Sequence, residues 1–146
     1  MKYGIVGFTG SRDEGMPTFG QIVKVDGLLF ALRPYEVHHG DCIGSDHWFH
    51  LRVTGPYKYR PCVHVHPPDN PRYRANCIEG MNCVIHPTKP YMKRNQDIVD
   101  ASDVLIATPH GPEEVRSGTW ATIRRARKKG IPIYIVYPSG TVIKEN

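Results

Sequence analysis

The feature that most constrains this chain is an alternation. Short β-branched and apolar runs, KYGIVGF (2–8), YEVHHG (35–40), PCVHVH (61–66), DVLIATP (103–109) and IPIYIVYP (131–138), are separated by stretches with helical spacing. The runs have the length and composition of buried strands. In TFGQIVKVDGLLFALR (18–33), Ile22, Val25, Leu29 and Leu32 fall on one helical face behind Pro17, which marks the start. GSDHWFHLRVTG (44–55) begins at Ser45, a good cap residue, and stops at Gly55-Pro56. KRNQDIVDAS (93–102) sets Ile98 and Val99 beside Ala101, and a helix over about 118–130 carries Trp120, Ile123 and Ala126 on one side. Strand and helix in turn predict a doubly wound α/β fold in three layers, with a mostly parallel sheet of about five strands.

A chain of 146 residues is long enough for one domain with its own core. No repeat or linker divides it, so 1–146 is read as a single domain. A proline-rich loop is expected at about 67–92 and a frayed tail from about 139. With 40% apolar and 23% charged residues the composition is that of an ordinary soluble globular protein. No apolar run approaches the ~20 residues of a membrane span, and the N-terminus is not a signal peptide. These readings place the protein in the cytoplasm, with Cys42, Cys62, Cys77 and Cys83 as free thiols. A net charge of +5 favours anionic partners: nucleotides, nucleic acid or acidic proteins.

In open α/β sheets ligands bind outside the carboxyl ends of the strands, so the loops there matter most. GFTGSR follows the first strand; Gly7 and Gly10 permit tight backbone, Ser11 offers a hydroxyl, and Arg12 has the forked geometry for phosphate. HHGDCIGSDH follows the second, with Gly40 and Gly44 leading to Ser45 and Asp46; Asp41 or Asp46 would orient a sugar. Arg94 and Asn95 begin the helix before the fourth strand and would close the site. Ser117, Gly118 and Thr119 open the last long helix, where unpaired backbone N–H groups favour an anion. Neither the G-x-G-x-x-G nor the Walker fingerprint is present, and no cofactor is expected.

These residues, in this order, resemble the SLOG superfamily of Rossmann-like proteins, which includes the DprA, LOG (lysine decarboxylase-like) and YspA-type groups. The resemblance rests on Gly7–Arg12, Gly40–Asp46, Arg94-Asn95 ahead of DASDVLIATP, and Ser117-Gly118-Thr119, and it covers about residues 3–138. It implies a Rossmann-like domain that binds a nucleotide or nucleotide-derived ligand, in a homo-oligomer, as a sensor or sequestering protein. The LOG branch hydrolyses the N-glycosidic bond of nucleoside 5′-monophosphates with the glutamate of Pro-Gly-Gly-x-Gly-Thr-x-x-Glu. Thr122 stands at that glutamate's place and cannot act as a carboxylate. Binding without turnover is therefore expected. The alternative is an N-glycosidase drawing its acid from Asp41, Asp46, Glu113 or Glu114.

A second alternative is a nucleic-acid-binding module. RRARKK (124–129) is a basic run, though cations also suit a helix C-terminus. Lys58, Arg60, Arg72, Arg74, Lys89, Lys93 and Arg94 form another basic region, interleaved with Tyr57, Tyr59, Tyr73 and Tyr91. Such aromatics stack on bases or simply cover loops. His64, His66, Cys77, Cys83 and His86 invite a metal reading, but their separations match no finger or ribbon spacing, so packed histidines and buried thiols are expected and no metal. His38-His39 end a strand at the rim of the expected pocket; histidines satisfied by the backbone are expected there, the alternative being that one serves as an acid or base near neutral pH.

Overall fold

The computed structural model describes residues 3–55, 60–78 and 82–146. Its strands are β1 (Ile5–Gly10), β2 (Glu36–His39), β3 (Cys62–Val65), β4 (Cys83–Ile85), β5 (Val104–Thr108), β6 (Ile133–Val136) and β7 (Val142–Glu145). The helices are α1 (Phe19–Leu32), α2 (Ser45–Thr54), α3 (Tyr91–Ala101) and α4 (Gly118–Lys129). One seven-stranded sheet runs in the order β4-β3-β2-β1-β5-β6-β7, parallel except for β7, which pairs antiparallel with β6. The mostly parallel α/β architecture expected from the alternation is present, with more strands than the expected five.

The two additional strands lie where the sequence gives little signal. Cys83–Ile85 is three residues long, inside the proline-rich stretch read as loop, and continues the parallel ladder beside β3. Val142–Glu145 lies in the stretch read as a frayed tail; its pairing Ile133↔Glu145 to Val136↔Val142 adds an edge strand that is mostly open to solvent.

The helices divide between the two faces. Val25 and Leu29 of α1 and Phe49 and Val53 of α2 bury against Val6, Phe8, Val37, Val63, Val65 and Ile106, forming one core cluster. Phe8 and Phe49 stack with ring centroids 4.2 Å apart. Val99 of α3 and Trp120, Ile123 and Ala126 of α4 pack on the other face against Leu105, Ala107, Ile133 and Ile135. β5 is buried at every residue, as a central parallel strand covered on both sides must be.

Local chemistry sets the helix ends. Thr18 caps α1 in a reciprocal box with Gln21, whose amide also reaches Pro109 O and Val136 O at 2.9 Å. Ser117 Oγ accepts from Trp120 N to cap α4, and Gly130 ends that helix at φ 86°.

Candidate functional site

β1 pairs with β2 on one side and β5 on the other, so the connections leave the sheet in opposite directions at β1 and β5. A crevice opens outside the carboxyl ends of such strands. A cavity of about 280 Å³ lies there, floored by Thr9, Gly10 and Ser11 and walled by the start of α4 at Ser117–Thr119. Arg12, Arg94 and Arg116 bring guanidinium groups to it; Asp13, Asp46 and Glu114 bring carboxylates.

The β1–α1 turn is fixed by Ser11 N–H donating to Thr108 O and Ser45 N–H donating to Ser11 O, both at 3.0 Å. The Ser11 hydroxyl accepts from Asp13 N, tightening the turn that carries Arg12. Arg12 Nη1 donates to Tyr91 Oη at 3.0 Å, and its guanidinium lies 3.7 Å from the centre of the Tyr73 ring. Tyr91 approaches Cys42 Sγ at 3.7 Å, and Cys42 in turn accepts from Arg94 Nη2 at 3.4 Å. One polar chain thus joins two arginines across the cavity.

Arg94 is only 5% exposed. Its place depends on Gly40, where a Cβ would run into Arg94 Nη1; no side chain can stand there without moving the guanidinium. Gly44 has φ 82° and passes against the backbone of Ser11 and Arg12, so it too serves close approach. Asp46 begins α2 and is buried; its Oδ2 accepts from Cys42 N. Burial pushes its carboxyl up to about 6, with the nearby Arg94 guanidinium opposing the rise. Asp46 Oδ1 and Arg94 Nε are buried without a hydrogen-bond partner among the described residues. Buried polar atoms are nearly always partnered, and these two lie beneath the cavity surface, closed off from solvent.

Of the residues singled out from sequence, Gly10, Ser11, Arg12, Asp46, Arg94, Asn95, Ser117, Gly118 and Thr119 line the cavity. Gly40, Gly44 and Ser45 stand behind it. Asp41 points away: its fully buried carboxylate accepts from Arg74 Nε at 3.1 Å and from Cys77 N at 2.8 Å, tying down the segment after β3. Among the other acidic candidates, Glu114 lines the cavity, whereas Glu113 pairs with Arg124 and Arg127 outside it. Thr122 is buried within α4 and donates to Gly118 O. Trp120 belongs to the core, its indole N–H donating to Gly111 O.

Tyr91, one of the tyrosines expected to stack on bases, lines the cavity, and so do Cys42, His110 and Arg116, which carry no expectation of ligand contact in the sequence. His110 bridges Glu114 and Asp13 at 3.4 and 3.7 Å across the rim. Arg116 immediately precedes the Ser-Gly-Thr turn, and that position was the available signal. Of the basic, tyrosine-rich region, Tyr57, Lys58, Tyr59 and the acidic Glu79 lie outside the described residues. Lys89 and Lys93 pair with Asp97.

No protein-family model matches the chain, and no curated protein is significantly similar to it. Among solved structures, a molybdenum cofactor binding protein from the phototrophic bacterium Rippkaea orientalis superposes with a TM-score of 0.57 at 20% identity, covering 94% of this chain and 78% of that one. TM1055, a structural-genomics target, superposes with a TM-score of 0.60 at 19% identity, covering 91% of this chain and 72% of that one. The likeness is one of fold. No helix among the described residues is long and apolar enough to cross a membrane.

Proposed function

We propose that this chain is a SLOG-like, Rossmann-type protein of the cytoplasm that binds a nucleotide or nucleotide-derived ligand without turning it over. The observation that carries the reading is that Arg12, Arg94 and Arg116 line one cavity together with the N-terminus of α4. The first N–H groups of a helix have no partner within it, and together with guanidinium groups they suit a phosphate. Gly118 strengthens the reading: a Cβ there would meet nothing within 4 Å, so packing within the protein does not require glycine at the helix start. It leaves the helix start open for a phosphate to come close to the backbone. A small ligand is in keeping with the cofactor bound by the neighbour from Rippkaea orientalis.

In this reading Arg12, Gly118 and Thr119 hold phosphate with the Ser11 turn beneath them. Arg94 and Asn95 close the wall, and Asp46 accepts from a sugar hydroxyl. Asp41 acts from behind, by fixing the segment that carries Tyr73. The buried position of Thr122 supports binding over hydrolysis, because no carboxylate stands at that turn of α4.

One observation favours the N-glycosidase alternative: Asp46, held up to about 6, lies within the range of an acid or base working near neutral pH. A thermal-shift screen against mono-, di-, cyclic and dinucleotides, with each hit then assayed for free base, separates the readings. A ligand that raises the melting temperature and is recovered intact is the expected result. Recovery as base and sugar phosphate gives the site to hydrolysis by Asp46, and silence across the panel overturns the nucleotide proposal.

A further inference from the structure

Away from the cavity, the face of the sheet shared with α3 and α4 carries an unusual concentration of imidazoles. Period-two alternation puts Glu36 and His38 of β2 on the same face, with His64 of β3, His66 just past it and His86 just past β4. Parallel pairing sets His38 directly beside His64. α3 and α4 pack mainly over β1, β5 and β6, with α3 also reaching β2, and the face remains partly open toward β3 and β4. Side-chain exposure rises from 4% at His38 to 19% at His64 and 25% at Glu36. Polar rings thus occupy a half-covered sheet surface where apolar side chains would ordinarily continue the core.

We propose that Glu36, His38 and His64 form a binding site for a divalent transition-metal ion of the zinc class, oriented by His66 and His86. Glu36 Oε2 lies 2.7 Å from His38 Nε2, Glu36 Oε1 lies 3.7 Å from His64 Nε2, and one donor atom from each residue falls within 4.8 Å of the others. Zinc–ligand bonds of ~2.0–2.1 Å require donor atoms about 3.3 Å apart in a tetrahedron, so small side-chain rotations bring these atoms onto one ion. Solvent reaches the cluster at Glu36 and His64, leaving room for entry and for a coordinated water.

The other ring nitrogens are placed as metal-binding histidines require. His38 Nδ1 faces His66 Nε2 at 2.7 Å, and His64 Nδ1 faces His86 Nε2 at 2.8 Å. With the metal on each Nε2, each Nδ1–H donates to the second histidine, which fixes tautomer and ring plane. Stacking among the rings, with centroids 4.2 to 5.1 Å apart, restrains them further. Two imidazoles with one carboxylate suit a borderline ion such as Zn²⁺ better than Mg²⁺ or Ca²⁺.

A second donor group, His39, His50 and Cys77, lies on the opposite face. Its histidines are tied to the backbone and to each other: His39 Nδ1 accepts from Asp41 N, and His39 Nε2 lies 2.9 Å from His50 Nδ1. Burial together with Asp41 also holds the Cys77 thiol protonated. That group serves the packing of α2 instead.

The test uses the full-length, tag-free protein titrated with Zn²⁺ by calorimetry and with Co²⁺ by absorption spectroscopy, alongside Mg²⁺. The expected result is one tight Zn²⁺ per chain, no response to Mg²⁺, and a Co²⁺ spectrum without a thiolate charge-transfer band. His64→Gln, at the open edge, should weaken binding by about a hundredfold or more, and His86→Phe by roughly tenfold. His47→Gln, exposed on α2, should leave binding unchanged. Zn²⁺ affinity weaker than about millimolar, full binding by His64→Gln, or a thiolate–cobalt band would each overturn the assignment. Should a variant fail to fold, paramagnetic shifts in the wild-type protein decide: Co²⁺ must displace the imidazole resonances of His38 and His64, not those of His39 and His50. The nucleotide screen has no bearing on this result.

Discussion

Two sets of arginines meet α4 at its opposite ends, and their surroundings differ more than their charges do. Along the far half, Arg124 pairs with Glu113, and Arg127 pairs with both Glu113 and Glu145. Arg125 donates to Gln96, and Lys129 to the carbonyls of Val99 and Asp100. At the near end, Arg12 and Arg94 have no carboxylate within ion-pair distance among the described residues; they engage Tyr73, Tyr91 and Cys42. Cations counted along the chain point to RRARKK. Cations counted by what they lack point to the cavity. A basic run in which Arg124 and Arg127 already face carboxylates has less charge to offer a nucleic-acid backbone, whereas guanidinium groups held by rings and a thiol keep their attraction for a phosphate.

The largest expected effect concerns the carboxylate beside those arginines. Because Asp46 titrates near 6 in the folded protein against 3.8 ordinarily, the folded state binds the proton more tightly than the unfolded one. Its contribution therefore favours folding at pH 4 and is lost as the pH rises through 6. Between those limits the wild type should lose up to about 3 kcal/mol relative to Asp46→Asn, measured as urea-unfolding free energies across the range. Parallel pH profiles for the two proteins would show that Asp46 is not isolated as described.

Next in size, Arg94→Met should weaken the best nucleotide from the screen by about ten- to a hundredfold, the worth of one charge-assisted hydrogen bond. Arg12→Ala should cost less, about fivefold, because this side chain is exposed and screened by solvent. The comparison between the two ends of α4 fails if Arg124→Ala with Arg127→Ala weakens the same nucleotide as much as Arg94→Met does. The expectation is an unchanged Kd and a melting temperature lower by no more than about 2–4 °C, as suits partly exposed ion pairs.

Much of the framework was legible because strand runs such as DVLIATP and helical stripes such as Trp120, Ile123 and Ala126 are strong local signals. β4 and β7 were not, because three residues among prolines and a polar, solvent-facing edge owe their pairing to neighbours distant in sequence. The same division runs through the cavity. Ser11, Arg12 and Ser117–Thr119 follow directly from strand ends and a helix start, so topology placed them at the crevice. Tyr91 and Cys42 reach it through contacts 79 and 52 residues away along the chain, with Arg12 and Arg94. The pairing of Arg127 with Glu145 depends on β7, a strand with almost no local signal. His64 and His66 share a face by simple alternation, but their alignment with His38 rests on the register of β2 against β3.

The buried Asp41 carboxylate has a consequence that reaches beyond packing. It fastens Arg74 and Cys77 to the end of β2, while Tyr73 O accepts from Ile43 N and the Tyr73 ring lies beneath Arg12. The segment 70–78 and the grip of Arg12 are therefore thermodynamically linked, and such linkage is reciprocal. A ligand that pulls Arg12 from its ring loosens the segment, and whatever steadies the segment alters the affinity for the ligand by the same factor. Occupancy of the cavity would thus be felt in the segment 70–78 through the contact between Arg12 and the Tyr73 ring.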